Sequence, residues 1–225
     1  MYERDLPFTS VLVEADRSAV AALWPPATLP VLVDDHTVVP ESSTVVEHLD
    51  RHGDAPPLVP TGRDEARVVR VWDRVIDGRL MTPMQAVVSD ALRPEDARDP
   101  YGVAQARAKL GEAYTFLDAH LRSSSDEWIA RNTFTLADCA APALHYANVV
   151  HELDRTAHPA LAAYADRLLA RPSVRASSRR RARIACCSLV PGRRDRPSDS
   201  AESGADAGEA RNSGSCHPPA TSDRS

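Results

Sequence analysis

The chain has 225 residues, 43% of them hydrophobic, and a net charge of −5. This length suffices for two small domains, and the net negative charge does not indicate binding to nucleic acid. No apolar run approaches a membrane span, and Met1 is followed at once by Tyr-Glu-Arg-Asp. The sequence therefore predicts no membrane segment and no signal peptide, and the default expectation is a cytoplasmic protein.

Residues 29–50 combine two short strands and a helix start. Leu29-Pro30 opens an apolar run through Val33, and proline is tolerated at the first residue of a strand or on an edge strand. The next four residues, Asp-Asp-His-Thr, have the composition of a hairpin turn, and Val38-Val39 supply a return strand. The pattern then changes to helical spacing after Pro40-Glu41-Ser42, as shown by Val45, Val46 and Leu49.

This stretch also predicts a ligand site made largely from backbone. A helix that begins Glu41-Ser42 presents free N–H groups and a hydroxyl, which together suit a carboxylate. The Leu29–Pro30 bond is a candidate for the cis isomer, which leaves the N–H and C=O of Leu29 pointing outward. The two features would face one extended, peptide-like ligand.

Residues 64–170 are predicted to be all-helical. Residues 52–62 are rich in proline and glycine, which is typical of a linker between domains. Two apolar stripes at helical spacing predict core faces. They are Val68, Val71, Trp72, Val75, Ile76 and Leu80 in the first, and Ala106, Leu110, Ala113, Tyr114, Leu117 and Leu121 in the second.

A capping box is predicted at Thr135 and Asp138. The Thr135 side chain would accept from the Asp138 N–H, and the Asp138 carboxylate would accept from the Thr135 N–H, at the start of a buried helix. Asp138 is therefore interpreted as structural rather than catalytic. His158-Pro159 is predicted to open a last helix through Leu161, Tyr164, Leu168 and Leu169.

These patterns together resemble the glutathione transferase superfamily. The proline-led hairpin followed by Glu-Ser, the phrase Phe-Thr-Leu-Ala-Asp at 134–138 and the phrase Arg-Pro-Ser-Val at 171–174 are similar to phrases of that superfamily, with a departure at Arg131-Asn132. The resemblance implies an α/β thioredoxin-like domain at residues 1–52, a linker at 53–63 and an all-α domain at 64–174. Residues 175–225 are predicted to be a disordered tail.

The resemblance also implies a site for glutathione, as co-substrate and with no other cofactor. Leu29 would hydrogen-bond the cysteinyl backbone next to cis-Pro30, and Ser42 with the neighbouring N–H groups would hold the γ-glutamyl carboxylate. Glu41 would face the γ-glutamyl amino group. An electrophilic small molecule would lie on the helical domain, with Met81, Met84 and Tyr101 as guesses, and a homodimer is implied.

In the superfamily a Ser, Cys or Tyr at the end of the first strand or the start of the first helix activates the glutathione thiol. By resemblance, residues 2–8 match the tail of that first helix and residues 8–14 match the second strand. No residue matches the activating position, and neither Tyr2 nor Ser10 is assigned to it. We therefore expect an N-terminally truncated thioredoxin-like domain without its catalytic residue.

The composition changes abruptly after Val174, and residues 192–225 contain no Val, Ile, Leu, Met or aromatic residue. Arg179-Arg180-Arg181 could be a basic patch, but a shifted reading frame is the preferred hypothesis. One choice of synonymous codons for residues 175–189, read in a shifted frame, encodes an amphipathic helix end and an aromatic terminus. Sequencing the gene tests this hypothesis.

No metal site is predicted. Cys186, Cys187, Cys216 and His217 lack zinc-site spacing, and Cys139 lies on a buried helix face. His48 and His52 stand four apart on one helix and could ligate a metal. Without an acidic partner at the usual spacing, they are interpreted as a solvated helix end.

Three functions remain open. The first is a glutathione transferase that conjugates glutathione to an electrophile, and the second is a non-catalytic binding protein on the same fold. The third is an inactive truncated and frameshifted product. Because the activating residue is not identified, the sequence predicts weak or no transferase activity.

Overall fold

The computed structural model describes residues 1–11, 13 and 17–177, and within them a two-stranded sheet precedes a helical unit. This arrangement confirms the predicted fold class for the described part of the chain. The elements are α1 Ser18–Leu23, β1 Val31–Asp34, β2 Thr37–Pro40, α2 Ser42–Leu49, α3 Arg63–Ile76, α4 Thr82–Ala91, α5 Pro100–Ser123, α6 Ala141–Val150 and α7 Pro159–Ala170.

The hairpin forms where the sequence predicts it. β1 and β2 pair antiparallel, with Val31 opposite Pro40 and Asp34 opposite Thr37. Asp35 begins the two-residue turn with a φ of 50°, a left-handed conformation that aspartate tolerates better than most residues. The register brings the start of β1 beside the end of β2, and therefore beside the start of α2.

The predicted strand at residues 8–14 is wrong for the part that the structure describes. Residues 8–11 and 13 have no strand conformation, and position 12 and positions 14–16 lie outside the described residues. A strand needs a hydrogen-bonded neighbour, and in the described sheet β1 pairs with β2 alone. The preceding segment forms a single 3-10 turn, Tyr2–Arg4.

The first predicted helical stripe is partly wrong. Val69 is fully buried, whereas Val71 is 49% exposed, because the buried face of α3 follows Ala66, Val69 and Ile76 at spacings of three and seven. A π-helical turn, Asp77–Met81, then joins α3 to α4 and brings Leu80 into the core. A π-turn adds one residue to a helical turn. The side chains after it therefore point in other directions than a constant spacing of about 3.6 residues predicts.

The second stripe is confirmed, because α5 supplies one wall of the core. Its buried side chains are Ala106, Leu110, Ala113, Tyr114 and Leu117, and Leu121 packs against them partly buried. The Tyr114 hydroxyl donates to the His151 carbonyl oxygen at 2.9 Å, which satisfies the polar end of this ring. On α7, Leu161, Tyr164 and Leu168 are buried, but Leu169 is 43% exposed.

Asp138 is the polar centre of the helical core. It is fully buried and accepts from the Thr135 N–H at 2.9 Å, as predicted. The Thr135 hydroxyl, however, donates to the Asp138 carboxylate at 3.0 Å rather than accepting from the Asp138 N–H, which instead donates to the Thr135 carbonyl oxygen. The helix begins with a 3-10 turn, Leu136–Ala140, and its shorter hydrogen bonds account for the different partner.

Two further groups reach Asp138 from other segments. The Ile129 N–H donates to it at 3.1 Å and the Tyr164 hydroxyl at 2.7 Å. Burial raises the pKa of Asp138, and these hydrogen bonds act in the opposite direction. The carboxylate therefore ties the loop before α6 to α7, and the interpretation of Asp138 as structural agrees with this geometry.

A second buried carboxylate, Asp118 of α5, caps α7. It accepts from the N–H groups of Ala160 at 2.8 Å and Leu161 at 3.0 Å and is 4% exposed. We expect Asp118→Ala to lower the free energy of unfolding by about 2 to 3 kcal/mol, because two buried amides lose their acceptor. Chemical denaturation measures this change.

The exposed cap Asp99 is the matched control for Asp118, since it accepts from the Gly102 N–H at 2.8 Å at the start of α5. Asp99→Ala should cost about 1 kcal/mol or less, because water replaces the carboxylate. Equal losses in the two variants would contradict the argument from burial.

The chain remains helical beyond the predicted domain end at Val174, because residues 172–177 form a further turn. The Arg175 N–H donates to the Arg171 carbonyl oxygen at 3.0 Å. The rest of the predicted disordered tail, residues 178–225, lies outside the described residues. Among the described helices, none combines the length and the apolar character needed to cross a membrane.

Candidate functional site

The candidate site lies where the start of β1 meets the start of α2. The Leu29–Pro30 peptide bond is cis, as the sequence predicts, and Leu29 is 47% exposed. Val31 pairs with Pro40, and directly opposed residues in an antiparallel pair lie about 5 Å apart. Leu29 and Ser42, the first residue of α2, are thus both exposed to solvent at this end of the hairpin.

The N-terminus of α2 has no side-chain cap. Glu41 occupies the N-cap position, but its side chain makes no capping hydrogen bond. The N–H groups of the first helical turn have no partner within the helix and carry its positive dipole end. The Ser42 side chain is exposed, so a hydroxyl stands beside these amides. Together they form a cradle suited to an anion.

Glu41 has an unusual backbone conformation, with a φ of 66° and a ψ of 132°. A non-glycine residue in this region costs about 1 to 3 kcal/mol, and such residues cluster at functional sites. The conformation ends β2 and turns the chain directly into α2. The strain therefore falls at the position that the sequence assigns to the ligand.

A hydroxyl relay orients the Glu41 side chain. The Thr28 hydroxyl donates to Glu41 Oε1 at 3.2 Å, and the Trp24 Nε1–H donates to Thr28 Oγ1 at 3.0 Å. Sequence reasoning missed both residues, although Thr28 directly precedes Leu29. The Glu41 carboxylate therefore accepts from Thr28 and makes no capping hydrogen bond to the α2 amides.

Ser43, which follows Ser42 in the first turn of α2, links the cradle to the helical unit. Its hydroxyl donates to Asp73 of α3 at 2.6 Å, and burial raises the pKa of this carboxyl group. One turn later, Glu47 forms a bidentate ion pair with Arg70 at 2.8 and 3.1 Å. These contacts hold the first two turns of α2 in place and leave Ser42 facing solvent.

The three residues suggested for the electrophile lie in different environments. Met84 is 6% exposed and belongs to the hydrophobic core, whereas Tyr101 is 75% exposed at the start of α5. Met81 packs partly buried against the core. Helical spacing could not distinguish a cavity wall from a packed core, so the expectation for Met84 is corrected, whereas that for Tyr101 stays a prediction.

The expectation that neither Tyr2 nor Ser10 activates the thiol stays a prediction. The Tyr2 ring packs edge-on against Phe8 with centroids 5.2 Å apart, and Ser10 is exposed. Burial raises the pKa of Cys139 to about 12, so this thiol stays protonated at neutral pH and is a poor nucleophile. Cys186, Cys187 and Cys216 lie outside the described residues.

The histidine pair has the acidic partner that the sequence did not reveal. His48 Nε2 lies 2.7 Å from Asp34 Oδ2, and His52 Nε2 lies 3.3 Å from the same oxygen. The hydrogen bond from His48 lowers the pKa of Asp34. Asp34 is 14 residues upstream of His48, so helix spacing could not identify it, whereas the packing of α2 against the hairpin brings the two residues together.

Family models match both halves of the chain. The model of the glutathione S-transferase N-terminal domain matches residues 1–57, and the model of the glutathione S-transferase C-terminal domain matches residues 100–167. The first match contains the cradle, and the second contains the core helix α5 and the Asp138 network.

Individual relatives agree with the family models. A glutathione S-transferase from Methylobacillus flagellatus KT with GSH bound is 25% identical, with a TM-score of 0.69 over 78% of this chain and 88% of that chain. One from Methylobacterium radiotolerans in complex with glutathione sulfonate is 31% identical, with a TM-score of 0.64 over 78% and 84%. A probable maleylacetoacetate isomerase from Caenorhabditis elegans is 26% identical over 66% of this chain and 69% of that protein. The chain therefore belongs to the glutathione S-transferase superfamily.

Proposed function

We propose that this chain binds glutathione in the cradle between the Leu29–Pro30 backbone and the first turn of α2. The observation that supports this most directly is the uncapped N-terminus of α2 with exposed Ser42, beside an exposed cis-proline backbone. A ligand with a carboxylate at one end and a peptide bond a few ångströms away matches both halves of the site. Glutathione has these two groups.

Each end of the ligand has a partner in this arrangement. The γ-glutamyl carboxylate accepts from the Ser42 hydroxyl and the first-turn amides, where the helix dipole favours negative charge. The γ-glutamyl ammonium group pairs with Glu41, which Thr28 holds in position. The cysteinyl backbone hydrogen-bonds the N–H and C=O of Leu29. Two solved relatives, described above with GSH and glutathione sulfonate bound, support this choice of ligand.

For the chemistry, we propose a transferase-type reaction in which bound glutathione attacks an electrophile. Since neither Tyr2, Ser10 nor Cys139 is suited to thiol activation, we expect this chain on its own to bind glutathione but to conjugate it slowly. An assay with glutathione and a general electrophile tests this, and turnover at rates ordinary for enzymes, about 1 per second or more, would contradict it. The implied homodimer stays a prediction.

The similarity to a probable maleylacetoacetate isomerase favours isomerisation as a second candidate. Such a reaction would use the same glutathione site with a different second substrate. Incubation with maleylacetoacetate and glutathione separates the two, because isomerisation regenerates free glutathione whereas conjugation consumes it.

We expect Ser42→Ala to weaken glutathione binding about 10-fold. The variant removes one hydrogen bond to a charged carboxylate, which is worth about 1.5 kcal/mol at this exposed position. Isothermal titration calorimetry with glutathione measures the change. A glutathione analogue whose γ-glutamyl carboxylate is replaced by an amide should bind wild type and variant almost equally.

Ser89→Ala is the matched control, since Ser89 is an exposed serine on α4. It should bind glutathione as the wild type does. A Ser42→Ala variant with unchanged affinity for glutathione would contradict the assignment of the carboxylate to this helix start.

A further inference from the structure

Three potential metal ligands meet at the other end of α2. Asp34 is the last residue of β1, His48 lies in the last turn of α2, and His52 follows four residues later. One ligand atom from each lies within 4.8 Å of the other two. The imidazole rings of His48 and His52 lie 5.3 Å apart, measured between centroids.

We propose that Asp34, His48 and His52 form a binding site for a divalent transition-metal ion of the zinc type. This reverses the expectation of no metal, which rested on the apparent lack of an acidic partner. Two imidazole nitrogens and one carboxylate oxygen are ligands that zinc accepts, and three protein ligands leave a fourth position for water. The sequence placed His48 and His52 on one helix, but α2 ends at Leu49, so His52 reaches the cluster from the turn that follows the helix.

The two separations that involve Asp34 lie close to those around a tetrahedral ion. With metal–ligand bonds of about 2.0 to 2.1 Å, ligand atoms at the corners of a tetrahedron lie about 3.3 Å apart. The separation of His52 Nε2 and Asp34 Oδ2 is already 3.3 Å. The separation of His48 Nε2 and Asp34 Oδ2 is 2.7 Å, so these two atoms would move apart by about 0.6 Å to share an ion, and the ligand atoms of the two histidines lie within 4.8 Å of each other.

The backbone holds the three ligands in place. Asp34 is paired with Thr37 in the hairpin, and His48 is part of α2. The His52 N–H donates to the Leu49 carbonyl oxygen at 3.0 Å, and its own carbonyl oxygen accepts from Arg4 at 2.7 Å. A preorganised site loses little conformational entropy when the ion binds.

The cluster is open to solvent on one side. The side chains of Asp34, His48 and His52 are 37%, 17% and 44% exposed, so an ion has an entry path. Six residues separate Ser42 from His48, which is about 9 Å along the helix. The metal site and the glutathione cradle therefore occupy opposite ends of α2, and either can be tested while the other is intact.

The experiment is a Zn²⁺ titration of the full chain without an affinity tag, after treatment with a chelator, in competition with a chromophoric chelator. We expect one Zn²⁺ per chain, and at least about a 10-fold loss of affinity in each of His48→Ala, His52→Ala and Asp34→Asn. His36→Ala and Asp35→Asn are matched controls, because both residues are exposed in the adjoining turn. Both controls should bind as the wild type does.

The thiols of Cys186, Cys187 and Cys216 are alternative zinc ligands, so the titration is repeated with all three changed to serine. Co²⁺ gives a second readout on the wild type: visible bands of a nitrogen and oxygen site, without the near-ultraviolet thiolate absorption of a cysteine site. Circular dichroism checks that each variant is folded. If a variant does not fold, the Co²⁺ spectrum of the wild type still tests the site.

Two results would overturn the proposal. One is wild-type affinity for Zn²⁺ in a folded His48→Ala or Asp34→Asn variant. The other is no Zn²⁺ bound by the wild type against a chelator of micromolar affinity, which would mean that the three side chains form a hydrogen-bonded cluster only.

Discussion

Asp138→Ala is expected to lower the free energy of unfolding by about 4 kcal/mol. The carboxylate accepts four hydrogen bonds, from the N–H groups of Ile129 and Thr135 and the hydroxyls of Thr135 and Tyr164. All four donors would be left without this acceptor in a fully buried place, where each unsatisfied group costs about 1 to 3 kcal/mol and partial relaxation recovers some of the sum. Chemical denaturation followed by the fluorescence of buried Trp128 measures the loss.

Asp154 provides the matched control. It also accepts from two backbone N–H groups, those of Thr156 at 2.9 Å and Ala157 at 3.1 Å, but it is exposed. Asp154→Ala should cost about 1 kcal/mol or less, because water satisfies the freed amides. A loss of 1 kcal/mol or less for Asp138→Ala as well would show that the buried donors find other partners.

The hydrogen bonds of Asp138 show which parts of a buried site a sequence can predict. Thr135 and Asp138 are three residues apart, so local spacing identified them and the Thr135 N–H to Asp138 hydrogen bond. Tyr164 and Ile129 reach Asp138 through tertiary packing, and nothing in their own segments distinguishes them from other core residues. Local patterns predict a cap, whereas the extent of its network depends on which segments pack together.

The same limit explains the cradle and the histidine cluster. The cis Leu29–Pro30 bond, the hairpin and the start of α2 follow from proline, turn and helix chemistry in consecutive residues. Thr28 and Asp34 meet Glu41 and His48 only when the hairpin has formed and α2 has packed beside it. The strand register alone does not reveal Asp34 as the acidic partner, because it places Asp34 opposite Thr37 and not opposite His48.

The eight residues of helix α2 thus contribute to both proposed binding sites and to the contact with α3. Its first turn offers free amides at the cradle, its middle contacts α3 through Ser43 and Glu47, and its last turn presents His48 to Asp34. The contacts to α3 join the helix whose two ends are the proposed binding sites to the helical unit. The segment that follows α2 is held by a separate set of contacts.

The buried ion pair of Arg4 and Asp50 holds that segment, and Arg4→Met is expected to cost about 3 to 4 kcal/mol. The Arg4 side chain is 2% exposed and donates to Asp50 at 3.2 Å and to the carbonyl oxygens of His52 and Pro56 at 2.7 and 2.8 Å. Asp50 in turn accepts from the N–H groups of Leu58 and Val59, both at 2.9 Å. Removal of the Arg4 charge leaves the Asp50 carboxylate buried without its ion partner, and this costs more stability than removal of both charges.

A double-mutant cycle separates this coupling from general damage. Arg4→Met with Asp50→Ala should cost at least about 1 kcal/mol less than the sum of the single changes, because neither charge is then left alone. The control pair is Glu47 with Arg70, whose side chains are 40% and 51% exposed; Arg70→Met should cost about 1 kcal/mol or less. That small loss should shrink further in high salt, which screens exposed charges more strongly than buried ones. Additive losses for Arg4 and Asp50 would mean that their contacts to the backbone, and not the ion pair, hold residues 50–59 against the N-terminal turn.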